Sequence, residues 1–318
     1  MGKFSRLLVN GVVLLVFIAS NNQVFATMQD EQPQSNKPST EQKKPADDKK
    51  TEENRETAPD VKRSDMKIAP PLDPTELQIS DINHYLDEQL IEPILVGPEQ
   101  HISLIETNAT SNSKGVMVLL ADWQQSATSP KAINYLRQSM PQHGWTTISI
   151  QPTPKPAAYP STAQPLNQRN EENSKTITQY NEQLAKILTA ITEKAKNYPG
   201  IIVMVAEGRH GALLLTQYQQ QLTEPPNALV ILSAYIDDAH TNQQSAEHLA
   251  QTDLPVLDLY LRTDQRLIKS SVALRKKYVN KELKSYYRQK ELFNTHTGYY
   301  PETALTKTIN GWLKSLGW

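Results

Sequence analysis

From residue 75 onward the chain alternates two patterns. Short segments at 102–107, 116–120, 145–150, 201–205, 228–232 and 256–261, most sharply the continuous apolar runs at 116–120, 201–205 and 228–232, read as strands, and 286–292 is a candidate for a last one. Between them lie longer segments whose apolar residues recur every three or four positions, the spacing of a helix face. These predict helices over 129–140, 176–196, 212–222, 245–250, 266–278 and 301–316, the last with Pro301 in its first turn. Leu77, Ile82, Leu86 and Leu90 predict one more helix ahead of the first strand, capped by Ser80 or Asp81. The polar turn 108–115 predicts an antiparallel hairpin joining the first two strands. Strands without polar alternation, separated by amphipathic helices, predict an α/β fold with a mostly parallel central sheet and helices on both faces. Ligand sites in such sheets lie beyond the carboxyl ends of the strands. A proline-rich insertion, 151–170, leaves the sheet on that side and is either a lid or a surface excursion.

The stretch that organises this pattern is IIVMVAEGRHGALLL, Ile201–Leu215. An apolar strand enters a tight glycine-bearing corner and leaves as a helix. It resembles the nucleophile elbow G-x-S-x-G of α/β-hydrolases, with Gly208 of Ala206-Glu207-Gly208-Arg209-His210-Gly211 at the serine position. In chain order an acid and a histidine follow. Asp264, after LPVLDLYLRTD, and His296, in NTHTGYY, hold those places, and LLADW, Leu119–Trp123, holds that of the oxyanion loop. More closely, the chain resembles an exported proteobacterial family, domain of unknown function 3530. The motifs are Val118–Trp123, Gly144-Trp145, the degenerate elbow Glu207–Gly211, Pro255–Tyr260 and Gly311-Trp312-Leu313, spread over about 100–318. The resemblance implies an α/β-hydrolase-like domain in the cell envelope and names no reaction.

Chemistry separates scaffold from activity. Acyl transfer needs an oxygen or sulfur nucleophile beside its base, and glycine has neither. Glu207 is expected to point away from the corner, and Arg209 is permanently protonated. His210 at a helix start is expected to be structural or solvated. Asp264 and His296 are then a remnant acid and base, with Asp122, Trp123, Arg209 and His210 as candidate pocket residues. The expected function is non-hydrolytic binding of a small molecule or envelope component; the alternative is an esterase-like hydrolase rebuilt on Asp122, Asp264 and His296. No cofactor or metal is expected, and Asp237, Asp238 and His240 read as a solvated turn.

Composition adds compartment and boundaries. Lys3 and Arg6, the apolar run 7–19 and Val24-Phe25-Ala26 predict a cleaved signal peptide over 1–26, leaving no stable membrane span. Residues 27–66 carry ten acids and eight bases with no aromatic residue, so 27–74 is expected to be a disordered polar linker before the domain at 75–318. The absence of cysteine excludes disulfides and a thiol nucleophile, and a periplasmic location is expected. A net charge of −1 gives no overall case for a nucleic-acid partner, and none is expected in that compartment without a recognition motif. The ten basic residues of 262–290 read as a solvated helix face, the alternative being a surface for anionic lipid, lipopolysaccharide or peptidoglycan.

Overall fold

A computed structural model describes residues 71–318. The leader expected over 1–26, and all but the last residues of the linker expected over 27–74, lie outside the described residues. Eight strands form one sheet in the order β1-β2-β4-β3-β5-β6-β7-β8. Strands β3 (Gly115–Leu120), β4 (Trp145–Ile150), β5 (Ile201–Glu207), β6 (Ala228–Leu232), β7 (Val256–Leu261) and β8 (Tyr287–Leu292) are parallel. β1 (Ile91–Val96) and β2 (Glu99–Glu106) add the antiparallel edge.

The strands bury both faces because successive side chains point to opposite sides. Val116, Val118, Leu120, Met204 and Ala206 face one core. Met117, Leu119, Val203 and Val205 face the other. The first core is closed by α3 (Leu166–Ala195) and α4 (Gly208–Gln219), through Ile177, Leu184, Ile191, Leu213 and Leu214. The second is closed by α2 (Ala132–Ser139) and α7 (Glu302–Ser315), through Ile133, Leu136, Ile309 and Trp312. The architecture is α/β-hydrolase-like, with β5 central and its carboxyl end turning directly into α4.

Three local expectations need correction. The hairpin is not β2–β3: β2 pairs with β1 and β4, and β3 lies parallel between β4 and β5. The missed strand β1 contains Pro93, which reads as a breaker but is tolerated on an edge, where no further strand needs its N–H. The first helix, α1, is therefore Pro74–Tyr85, capped by the Asp73 carboxylate on the Thr75 N–H (2.7 Å), and Leu90 lies outside it. The proline-rich insertion ends at Pro165, the N-cap of α3, and its Tyr159 is buried edge-on to Trp123.

The basic stretch also divides. Arg275, on α6 (Arg266–Lys281), is buried and makes a two-pronged pair with Asp258 of β7, at 2.8 and 3.0 Å. Its third nitrogen donates to the Ala234 carbonyl (2.7 Å), and Tyr287 and Gln289 of β8 donate to Asp258. Lys284 donates to the Thr252 carbonyl, and the other eight basic residues of 262–290 are exposed. A buried carboxylate stripped of its partner is costly, so Arg275→Ala is expected to lower stability by about 3–5 kcal/mol in urea unfolding. Lys276→Ala, an exposed neighbour, is expected to change it by less than about 0.5 kcal/mol.

Candidate functional site

The corner at the end of β5 is as sharp as an elbow requires. Glu207 is extended, and Gly208, the first residue of α4, has φ +58°, a left-handed conformation that glycine adopts without the usual penalty. Gly211, one turn on, lets α4 approach the sheet: a Cβ there would lie 3.0 Å from the Ala234 Cβ and 3.1 Å from the Ala206 carbonyl oxygen.

The space above Gly208 is taken. A Cβ on this residue would fall 2.2 Å from Cγ of Asp122 and 2.4 and 2.6 Å from its two oxygens. Asp122 arrives from the loop after β3. Its Oδ1 accepts from the Arg209 backbone N–H (2.8 Å) and its Oδ2 from the Arg209 guanidinium (2.8 Å). The carboxylate thus caps the start of α4, where the free N–H groups and helix dipole favour an anion. Burial raises the Asp122 carboxyl above its ordinary range despite the opposing pull of Arg209.

Arg209 is held on every side. Its Nε and remaining terminal nitrogen donate to the two oxygens of Asp237 at 2.8 and 3.0 Å, and its guanidinium lies 4.6 Å from the Tyr235 ring centroid. Burial works against its charge, but the Asp237 hydrogen bonds and the Asp122 charge outweigh it and raise its pKa. Asp237 is therefore an ion-pair partner. Asp238 caps α5 (Ala239–Gln251), accepting from the Thr241 N–H at 2.7 Å.

His210 is fully buried. Its Nδ1 donates to the Ala121 carbonyl (2.5 Å), which leaves Nε2 to accept from the Tyr180 hydroxyl (2.6 Å). Trp123 packs edge-on to Tyr180, with centroids 5.3 Å apart. Burial first, then the charge of Arg209, lowers the His210 pKa to about 4 against the Ala121 hydrogen bond. A neutral imidazole with both nitrogens occupied holds the loop after β3 against α4 and has no free atom to activate water.

The carboxyl ends of β3, β5, β6 and β7 enclose a cavity of about 170 Å³, lined by Asp122, Glu207, Gly208, Ser233, Asp264 and Tyr300 among others. No residue of 151–165 lines it. Asp264 points its Oδ2 at the Ser233 hydroxyl (2.7 Å) and the Leu261 N–H (2.7 Å). Burial raises its pKa, with those two hydrogen bonds opposing. His296 is exposed and lines a different depression together with Asn294 and Glu302, while Thr297 and Gly298 reach the first cavity. The structure therefore brings Asp122, Gly208 and Asp264 to one cavity, sets Arg209, His210 and Trp123 behind it, and leaves His296 outside.

Glu207 corrects the expectation that it turns away. It lines the cavity, is 8% exposed, and its Oε2 is buried with no hydrogen-bond partner. Burial in the first place, then the Asp122 charge and more weakly Asp264, push its pKa up to about 7 against Lys131 and the Gln125 amide. Ser233 and Tyr300 were also missed, although a polar residue directly after the β6 apolar run, as in LVILS, is a legible sign of a strand's carboxyl end.

Two outcomes follow for stability. Gly208→Ala combines backbone strain with displacement of Asp122 and is expected to cost roughly 2–4 kcal/mol in denaturant unfolding. In a double-mutant cycle with Asp122→Ala the two costs are expected to be less than additive, because the second change removes the obstructing carboxylate. Glu207 binds its proton more tightly folded than unfolded, so its contribution to stability falls as pH rises from 4.5 to about 7. Glu207→Gln is expected to exceed the parent by on the order of 3 kcal/mol at pH 8, and to lose that lead towards pH 4.5, in thermal unfolding across pH. His210 titrates with the opposite slope, its stabilisation being lost as pH falls from 6.5 to about 4, but it does so in both proteins and cancels in the difference.

Among solved structures the chain is similar to Est1E from Butyrivibrio proteoclasticus (12% identity, 70% of this chain and 99% of that one, TM-score 0.49). It is similar also to a dienelactone hydrolase from Anabaena variabilis (13%, 71% and 96%, TM-score 0.49) and to an alpha-beta serine hydrolase homologue from Coxiella burnetii (12%, 73% and 99%, TM-score 0.44). No curated protein matches the sequence. The profile of DUF3530, described as a protein of unknown function, matches residues 11–315, and the chain belongs to that family.

Proposed function

We propose that this protein is exported to the periplasm and uses an α/β-hydrolase-like scaffold to bind a small molecule or envelope component without hydrolysing it. One observation carries the reading. Where a hydrolase would place its nucleophile, this chain has a glycine whose missing side chain is replaced in space by the Asp122 carboxylate. A carboxylate held by two nitrogens of Arg209 is a capping group. It also puts negative charge beside the position where an acyl-transfer reaction would develop an oxyanion, the reverse of what stabilises that transition state. The hydroxyl next to Asp264 is Ser233, on a different strand end, and its partners among the described residues are Asp264 and Tyr300 rather than an imidazole. The rebuilt-hydrolase alternative needs Asp264 and His296 to act on a common atom, and they line separate depressions.

Two assays test the proposal. Purified full-length protein is expected to release no product from p-nitrophenyl esters or amino-acid anilides above a heat-unfolded control. Turnover that disappears in His296→Ala would overturn the non-hydrolytic reading. Expression in a Gram-negative host is expected to yield periplasmic protein whose first residue is Thr27. Protein confined to the cytoplasm with residues 1–26 attached would overturn the export reading.

A further inference from the structure

We propose that the cavity beside Gly208 is a recognition site for a primary ammonium group carried on a short carbon chain. The proposal rests on the reading of this protein as a non-hydrolytic binder and names the chemistry that its site selects.

The cavity holds polar atoms that nothing satisfies. Glu207 Oε2 and Gln125 Oε1, both acceptors, and the Thr263 hydroxyl, which both donates and accepts, are buried without a hydrogen-bond partner, and all three residues line it. Buried polar atoms are ordinarily paired, and two of these three can be satisfied only by a donor. Of the three carboxylates in the lining, Asp122 is taken up by Arg209, and Asp264 accepts from Ser233 and Leu261. Only Glu207 among them has a buried oxygen with no partner.

The charge of the lining selects the sign of the guest. Asp122, Glu207 and Asp264 face one cationic side chain, Lys131, with Arg209 already engaged by Asp122 and Asp237. An anion would meet three carboxylates against that single ammonium. A metal ion needs several ligands converging on one point, and among the described residues no three His, Cys, Asp or Glu side chains are so placed. An alkylammonium has donors only, three of them on one nitrogen. Its carbon chain meets Leu261, Ile268 and the rings of Tyr235 and Tyr300 on the same walls, and aromatic faces attract cations. A cavity of about 170 Å³ admits a group of a few heavy atoms and excludes a bulky quaternary amine.

The test is calorimetric titration of the full chain with propylammonium chloride, sodium propionate and tetrapropylammonium chloride. Saturable binding of propylammonium at least tenfold tighter than either comparator, at pH 8, is the expected result. Glu207 is pushed up to about 7 by burial, then Asp122 and Asp264, against Lys131 and the Gln125 amide, and shares the cavity with Tyr235 and Tyr300, so propylammonium affinity is expected to fall about tenfold between pH 8 and pH 6. Glu207→Gln is expected to weaken binding at least tenfold at pH 8 and to abolish that pH dependence. Thr263→Val, a near-isosteric change, is expected to weaken it several-fold with the fold intact by circular dichroism. Titration with Nα-acetyllysine and with ethanolamine distinguishes an aminoacyl side chain from an amino alcohol as the tighter source. No saturable binding of any primary amine, or equal affinity for propionate, overturns the proposal. Neither outcome bears on ester turnover, so failure here and failure of the non-hydrolytic reading are separately visible.

Discussion

A carboxylate fills the space above the glycine at the corner after the central strand. The Asp122 side chain fills the volume above Gly208 and binds both the backbone and the guanidinium of Arg209. That contact joins the loop after β3 to the start of α4 and, through Asp237, to the segment after β6. His210 repeats the tie one residue on, from Ala121 to Tyr180 of α3. Helix start, the loop after β3 and the neighbouring strand end are thus fixed by a small set of charge-assisted and buried hydrogen bonds, the stronger kinds available to a protein. The same geometry excludes an added side chain at residue 208.

The scaffold explains why this contact forms where it does. Six parallel strands place their carboxyl ends in one row, so residues far apart in sequence converge there without local contacts. Asp122, Glu207, Ser233 and Asp264 each follow or end a different strand, and all meet one cavity. Closing the corner with Asp122 leaves Glu207 buried beside it with its Oε2 unpartnered. A carboxylate in that position is destabilising when ionised, and perturbed carboxyls of this kind cluster at functional sites. The buried Arg275–Asp258 pair, by contrast, is fully bonded by Tyr287, Gln289 and the Ala234 carbonyl and locks α6 and β8 to β7.

Much of the fold was legible in the sequence because its signals are local. The apolar run Ile201–Val205 ending in a glycine corner reads as a strand entering an elbow, and it is one. The face Ile177, Tyr180, Leu184, Ile187, Ile191, Ala195 reads as a buried helix stripe and is buried. Pro93 hid β1, since an edge strand tolerates what a central strand does not. The charge run 262–290 hid Arg275, because one-dimensional spacing does not say which base turns inward to an acid on β7. The site was legible only as a list. Gly208 marked the corner, but the side chain that fills the space above it is Asp122, from the loop after β3, and no periodicity reports that. Glu207 was set aside as facing away because the corner's own geometry was known and the cavity beyond it was not.

The central claim is that the elbow carries a wedge and no nucleophile. Its most direct test is mass spectrometry of the full-length protein after prolonged exposure to a reactive alkyl fluorophosphonate, with a serine esterase treated in parallel. The account predicts an unmodified mass under conditions that label the esterase completely. A stoichiometric adduct on one serine or threonine, absent in His296→Ala, would contradict it.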